Sequence, residues 1–381
     1  MSRQGYFVNN LSGYKSFKPS NLQSVEKKLC FDSEIDNLII VAHENIARIN
    51  TMSELIKDSD LFLYAYVYEE ALESSRIEGT KCTMEDIFSN IKNDNSNNKK
   101  NIKDVIETIS NINAIEFGIK ELNTLPLCTK FFKELHKVLL NNVRGKNKNP
   151  GEIRTTQNWI GGNTIKEAMF IPPNVDDMNE ALKDLDDYIN DDSSTVDKII
   201  KISIIHYQFE TIHPFLDGNG RLGRIIILLY LIKEKILYKP NIYMSYYLKL
   251  YQVEYYNKLM EVRLNDKYEE YIKFFLHCFV ETTNSVIRRI KNIDELHKKN
   301  LSKLPKTNRE KETQKMVFEY IEQNPIFSIK DIQSEVGLSY NTVNAVVSKL
   351  EELNIVKKQE EIKRNKVYIY EEYVNLFSGI G

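Results

Sequence analysis

The chain has 381 residues, 42% hydrophobic and 28% charged, with 52 Lys and Arg against 54 Asp and Glu. That length accommodates two or three domains with their own cores, and the composition is that of a soluble globular protein. A formal net charge of −2 excludes binding to nucleic acid by bulk charge and leaves only a local basic patch for that role.

Glycine is sparse, at 14 residues, which favours helices over tight turns. The four cysteines, Cys30, Cys82, Cys128 and Cys278, are isolated, so neither a zinc site nor a disulfide framework is expected. Met1–Tyr6 lacks the apolar core of a signal peptide, and the apolar run Ile225–Ile232 is too short to span a bilayer. A cytoplasmic protein without membrane contact is expected.

In chain order, the first clear periodicity is Leu61–Ser75, which puts Leu61, Tyr64, Ala65, Tyr68 and Leu72 on one helical face. It runs into Ser74-Ser75-Arg76-Ile77-Glu78-Gly79, where Gly79 suits the position just past a helix end. Glu78 then falls in the last turn, at the negative end of the helix dipole, and calls for a positive partner. Ser74, one turn earlier on the same face, is placed to hydrogen-bond that carboxylate. Without a partner, Glu78 reads as a solvated surface glutamate.

Lys92–Lys103 and Asn141–Gly151 are polar and read as loops. Between them, His136 follows Phe131 and Phe132 and reads as a packed core histidine. Ser194-Thr195-Val196-Asp197 has the form of a helix start, before the apolar residues Ile199, Ile200, Ile202, Ile204, Ile205 and Phe209. That helix is apolar on most sides and therefore central. His206 within it has no third ligand at metal spacing and reads as a hydrogen-bonded core residue.

The informative segment is His213-Pro214-Phe215-Leu216-Asp217-Gly218-Asn219-Gly220-Arg221-Leu222-Gly223-Arg224. It leaves the central helix, turns, and opens a second helix near Gly220. The glycines permit a backbone nest whose N–H groups, at a helix start, suit phosphate. Arg221 and Arg224 can pair with phosphate oxygens, and Asp217 offers a hard oxygen for Mg²⁺. His213 is the one group here able to take a proton near neutral pH. Downstream, the tyrosines of Tyr243–Tyr256 read as core at helical spacing.

After a break at Leu304–Asn308, a helix carries Met316, Val317, Tyr320 and Ile321. Two more follow, Ile329–Val336 and a helix capped by Ser339, and then strands at Ile355–Lys358 and Val367–Tyr370. Three helices and a two-stranded wing make a winged helix-turn-helix plan.

The segment from His213 to Arg224 resembles the signature loop of the Fic family, His-Pro-Phe-x-Asp-Gly-Asn-Gly-Arg-x-x-Arg, at every fixed position. Gly151–Gly162 and Phe170–Pro173 resemble that family's target-binding flap, and Ile205–Ile212 its lead-in helix. The resemblance implies a mainly α fold: a Fic-type helical bundle with a small β-hairpin flap, followed by the winged helix. It also implies transfer of AMP from ATP to a Ser, Thr or Tyr hydroxyl of a protein. By position, His213 would deprotonate the hydroxyl, Asp217 would bind Mg²⁺, and Asn219 would hold the α-phosphate. Gly218, Gly220 and Arg221 would hold the phosphates, with Arg224 on the γ-phosphate. Tyr255-Tyr256, with Leu259 and Arg263, resembles the adenosine-pocket helix, either ring being open to stack on a purine. Ser74–Gly79 matches the family's inhibitory motif, so that Glu78 would pair with Arg224 and hold ATP in an unproductive pose.

In the flap, the Gly161-Gly162 break and its extended flanks suggest a hairpin whose edge pairs with a target segment. Ile160, Gly161 and Ile165 are its candidate contact residues. The expected organisation is residues 1–100 as a helical region with the inhibitory motif, 101–303 as the catalytic core and 304–381 as the winged helix. Arg309–Tyr370 holds ten basic and ten acidic residues, poor for neutralising phosphates, although Lys363-Arg364-Asn365-Lys366 keeps DNA open. DNA binding, protein docking and homodimerisation all stay open for this module, as does self-modification for the core. The alternatives are another donor (UMP or phosphocholine), AMP removal, or an ATP-sensing DNA-binding regulator.

Overall fold

The computed structural model describes residues 3–55, 60–83, 86–87, 102–141, 148–304, 308–359 and 366–376. A hairpin of β1 (Gly5–Asn9) and β2 (Lys15–Pro19) precedes α1 (Leu22–Glu26), α2 (Ser33–Leu55), α3 (Asp60–Ile77), α4 (Ile102–Glu121) and α5 (Thr129–Leu139). Then come α6 (Val175–Ile189), α7 (Lys198–Ile212), α8 (Asn219–Lys233), α9 (Ser245–Leu250), α10 (Gln252–Asn265) and α11 (Tyr268–Ser302). The remainder is α12 (Asn308–Gln323), β3 (Ile326–Ser328), α13 (Ile329–Val336), α14 (Tyr340–Glu352), β4 (Lys357–Lys358), β5 (Val367–Ile369) and α15 (Glu371–Asn375). The chain is mainly α, with small antiparallel sheets.

Two compact units emerge, one of residues 1–47 and 67–283, the other of residues 48–66 and 284–381. In the first, α7 is buried from Ile199 to Ile212 without a break, because its apolar residues occur on every side of the helix. Two of its polar residues find local partners: Ser203 Oγ donates to Ile200 O at 2.6 Å, and Lys201 Nζ to Asp191 O at 2.7 Å. Leu222 and Ile225–Leu231 of α8 are buried as well. At ~1.5–3 kcal/mol per buried aliphatic side chain, the α7–α8 pair is a firm support for the loop joining it. Helix α7 begins three residues later than Ser194 suggests, since Asp197 accepts from Ile199 N at 2.8 Å and is the cap. Ser194 is engaged elsewhere, its Oγ donating to Glu26 at 2.9 Å.

Of the α3 face, Leu72 is buried, while the side chains of Leu61, Tyr64 and Ala65 lie outside the described residues. So do residues 92–101 and 142–147 of the two expected loops; Ile102 and Lys103 already belong to α4.

The second unit contains the winged helix. Val317, Phe318, Ile321, Ile332, Val343, Val347 and Leu350 form its core. Phe318, not Met316, joins Val317 and Ile321 there, and Met316 is exposed. Ser328 and Asp331 form a reciprocal capping box at the start of α13, and Ser339 caps α14. The sheet has three strands in the order β3-β5-β4, with Ile326 opposite Ile369 and Lys357 opposite Ile369. Strand β3 escapes sequence reading because three residues after Asn324-Pro325 show no alternation. Lys363, Arg364 and Asn365 of the wing lie outside the described residues, as do residues 305–307 at the expected break.

Candidate active site

The loop between α7 and α8 is set by two left-handed residues. His213 closes α7 at φ 49° and ψ 60°, sparsely populated for a residue with a side chain, and Gly218 opens α8 at φ 75°. Several donors outside the loop take its carbonyls. Arg154 Nε donates to His213 O at 3.0 Å and Arg154 N to Pro214 O at 2.9 Å. Asn158 Nδ2 donates to His213 O at 3.1 Å and Phe215 O at 3.0 Å, and His136 Nε2 bonds Asp217 O at 3.0 Å. With these carbonyls held outward, the opening amides of α8 at Asn219, Gly220 and Arg221 precede the first intrahelical bond, Leu222 N to Gly218 O. A helix start of this form suits an anion.

The side chain of Asn219 is engaged within the loop itself. Its Oδ1 accepts from Phe215 N at 2.9 Å and its Nδ2 donates to Phe215 O at 2.8 Å, so both polar atoms staple the loop shut. The Asn219 backbone N–H stands at the helix start. Arg221 and Arg224 are both buried, each with a carboxylate. Arg221 Nη1 lies 2.9 Å from Glu107 Oε1 on α4, and its Nη2 lies 3.8 Å from Asp217 Oδ1. Glu107 carries no local sequence signal, and its carboxyl is pushed up by burial against the pull of Arg221.

Arg224 meets α3. Its Nε donates to Ser74 Oγ at 2.9 Å, and its Nη2 to Ser74 O at 2.9 Å and to Glu78 Oε1 at 2.8 Å. Ser74 therefore steadies the arginine rather than the glutamate, because its hydroxyl oxygen is the acceptor nearest the Nε–H. Glu78 lies one residue past the helix end, and Gly79 follows at φ 97°. Burial pushes the Glu78 carboxyl up, but the Arg224 guanidinium outweighs this and the net shift is downward. A Cβ on Gly220 would meet Glu78 Oε1 and Arg224 Nη1, so a larger residue there would push the carboxylate aside. Two further contacts tie α3 down: Gln252 Nε2 donates to Ile77 O at 3.0 Å, and buried Glu70 accepts from the N–H and hydroxyl of Ser245.

The His213 imidazolium is disfavoured first by burial and then by Arg263, which hold its pKa down to about 4. Its Nδ1 has no hydrogen-bond partner among the described residues. Asp217 is partly exposed, with Oδ1 accepting from Gly218 N at 2.7 Å. Among the described residues no group of three or more candidate ligands surrounds a common point. Mg²⁺ needs no such cage, because it commonly takes one or two carboxylates plus substrate phosphates. A single carboxylate beside a helix start suited to an anion fits Mg²⁺ arriving with a nucleotide.

Of the two candidate adenosine rings, Tyr255 is only 1% exposed and its hydroxyl bonds His206 Nε2 at 2.8 Å. His206 Nδ1 lies 3.1 Å from Gly223 O, so His206 is the satisfied core residue expected. Tyr255 belongs to that core pair, which leaves Tyr256, 41% exposed, as the available ring. In the flap, Ile160 and Phe170 form one antiparallel bridge, and Ile165–Glu167 is a short 3₁₀ turn. Gly161 and Gly162, at φ 73° and 72°, break the pairing after a single rung. Ile160 and Ile165 are half-buried and Gly161 is exposed. Phe170 is held beneath Arg263, whose guanidinium lies 4.0 Å from the ring centre, and Phe17 N donates to Ile171 O at 3.0 Å. Sequence reading missed the supporting roles of Glu107, Arg154, Asn158 and Gln252. Arg154 and Asn158 stand inside the recognised flap segment, the one clue to them.

Residues 126–231 match the Fic/DOC family, residues 37–120 match the Fic/DOC family N-terminal region, and residues 310–357 match a winged helix-turn-helix DNA-binding family. A Caenorhabditis elegans relative named Protein adenylyltransferase fic-1 is 36% identical over 102 residues, 26% of this chain and 18% of the relative. The Protein adenylyltransferase Fic of Drosophila willistoni is 26% identical over 166 residues, 42% of this chain and 31% of the relative. The alignments thus span less than a third of either relative. Among solved structures, a Fic family protein from Desulfovibrio desulfuricans G20 aligns over 90% of this chain and 97% of its own, with TM-score 0.58 and 18% identity. A Fic domain containing signaling protein from Bacteroides thetaiotaomicron aligns over 68% of this chain and 97% of its own, with TM-score 0.53 and 18% identity. These structures share the fold. Residues 37–120 and 126–231 of this chain belong to the Fic/DOC family.

Proposed function

We propose that this protein transfers AMP from ATP to a hydroxyl side chain of a target protein and restrains itself through Glu78. The observation that carries this reading is the convergence of a neutral imidazole, a helix start with open amides and two buried arginines on one loop. His213 accepts the proton of the attacking Ser, Thr or Tyr hydroxyl, whose oxygen forms a bond to the α-phosphorus. The bond from that phosphorus to the β-phosphate oxygen breaks, and pyrophosphate leaves. The opening amides of Asn219, Gly220 and Arg221 and the guanidinium of Arg221 hold the phosphates, the Gly218 N–H being taken by Asp217 Oδ1.

Asp217 would hold Mg²⁺, which when bound neutralises phosphate charge. Arg224 serves the γ-phosphate only when Glu78 releases it; while they pair, the triphosphate settles in an unproductive pose. The purine lies on Tyr256. The flap, through Ile160, Gly161 and Ile165, receives an extended target segment by main-chain pairing, which requires no target motif. The protein's own hydroxyls are substrates on the same terms.

The winged helix fits protein docking or homodimerisation better than DNA. The one basic residue of α14, Lys349, is already paired with Glu352 at 2.8 Å. No helix among the described residues is long and apolar enough to cross a membrane, and the expected place of action is the cytoplasm.

The test is to incubate the Glu78→Gly protein with Mg²⁺ and labelled ATP or UTP in lysate, then locate the label by mass spectrometry. Labelled protein with ATP, lost in His213→Ala, is expected. Label from UTP alone, or none from either, would sink the reading.

A further inference from the structure

His136 lies on α5, outside the signature loop, and is fully buried. Its ring stacks on Phe215 at a centroid distance of 3.8 Å and an interplanar angle of 15°. Gly151 N donates to its Nδ1 at 2.8 Å, which makes Nδ1 the acceptor. The ring proton is therefore on Nε2, and Nε2–H donates to Asp217 O at 3.0 Å.

We propose that His136 is a positioning residue that aims the Asp217 carboxylate at its metal. The reason is peptide planarity. The Asp217 carbonyl and the Gly218 N–H belong to one rigid peptide unit, so a donor that holds the carbonyl also fixes the direction of the N–H. That N–H donates to Asp217 Oδ1 at 2.7 Å. The chain of contacts is thus Gly151 N–H to His136, His136 to the 217–218 peptide, and that peptide to the carboxylate. Rotation of the peptide is the cheap motion at this point, since Gly218 is a glycine in the left-handed region. Without His136 the peptide turns and the carboxylate loses its anchor. The same ring joins the first residue of the flap segment, Gly151, to the catalytic loop.

This inference rests on the reading that Asp217 holds Mg²⁺, and the experiment separates the two. Binding of α,β-methylene-ATP, whose α–β bridge cannot be cleaved, is measured by calorimetry on Glu78→Gly protein in Mg²⁺ and in EDTA. Asp217→Ala should abolish the gain in affinity from Mg²⁺. His136→Ala should cut that gain about tenfold, as loss of an outer-shell partner does, and leave affinity in EDTA within about twofold. His136→Gln keeps a donor at the Nε2 position and should restore most of the gain. His136→Asn keeps only the acceptor for Gly151 and should not. The Gln and Asn variants decide the matter even if His136→Ala fails to fold, which thermal denaturation reports. Equal effects of Gln and Asn, or an unchanged Mg²⁺ gain in His136→Ala, would overturn the proposal and leave the metal reading intact. An unchanged gain in Asp217→Ala would overturn both.

Discussion

Glu78 Oε1 accepts from Arg224 Nη2 at 2.8 Å across 146 residues of sequence. The arginine is held from its other side by Ser74, so one side chain satisfies both the end of α3 and the first turns of α8. A guanidinium so engaged has few N–H groups left for a phosphate.

Replacing Glu78 with Gly should raise labelling at least about tenfold, because loss of a charge-assisted partner frees the guanidinium for the transition state. Arg224→Ala in that background should cancel the gain. Quantified transfer from labelled ATP measures both. Equal labelling by wild type and Glu78→Gly would show that the Glu78–Arg224 pair does not restrain transfer.

Gln252 holds the Ile77 carbonyl, which is free at the end of α3. Gln252→Ala removes one hydrogen bond of about 1 kcal/mol, so labelling should rise roughly fivefold, less than with Glu78→Gly. No rise in the same assay would show that the end of α3 stays in place without it.

The pH profile follows from the depressed His213 pKa. Because burial favours the neutral imidazole down to about 4, the base form persists as pH falls through the ordinary histidine range. In Glu78→Gly protein, kcat/KM should stay level from pH 8 to about pH 5.5, the folded state being populated throughout. Losing Glu78 removes a charge that raises this pKa, which moves the acid limb lower still. An acid limb centred near the ordinary value of about 6.5 would contradict this.

Arg154 is 2% exposed and donates only to carbonyls, those of Thr156, Pro173, Ile212 and His213 among the described residues. Arg154→Ala orphans several of them at ~1–3 kcal/mol for each group left unsatisfied. Calorimetric melting should shift down by several degrees, and labelling should fall because the His213 carbonyl loses one of its two side-chain donors. Arg154→Lys keeps the charge but not the fork and should recover only part of the loss.

Glu210 is buried and its Oε1 has no hydrogen-bond partner among the described residues. Burial raises its carboxyl to about 7 against the opposing pull of Arg224. The raised value means that folding favours the protonated form. The stability it confers is full below the unfolded value of about 4.5 and declines as pH rises towards about 7. Glu210→Gln should therefore raise Tm more at pH 8 than at pH 5. An equal change at both would show that the carboxylate is compensated.

Linear patterning determined much of this protein. Helix faces follow from spacing, so the buried course of α7 and the cap at Ser339 were legible. The dense loop from His213 to Arg224 and the segment from Ser74 to Gly79 stood out as the two segments that meet at Arg224. What tertiary structure decided was the choice of partner. Ser74 could face either the carboxylate or the guanidinium, and only the approach of α8 put its hydroxyl on Arg224 Nε. Asn219 looked free for phosphate, but the turn from Phe215 brought a backbone N–H and C=O within its reach. Adjacent Tyr255 and Tyr256 differ by about 100° around a helix, so one is core and the other faces solvent, depending on where α10 packs. His136 resembled any core histidine until α5 met the loop and gave its two nitrogens different work. Periodicity constrains a residue's direction on its own element, whereas hydrogen-bond and ion-pair partners are set by distances of a few ångströms between elements remote in sequence.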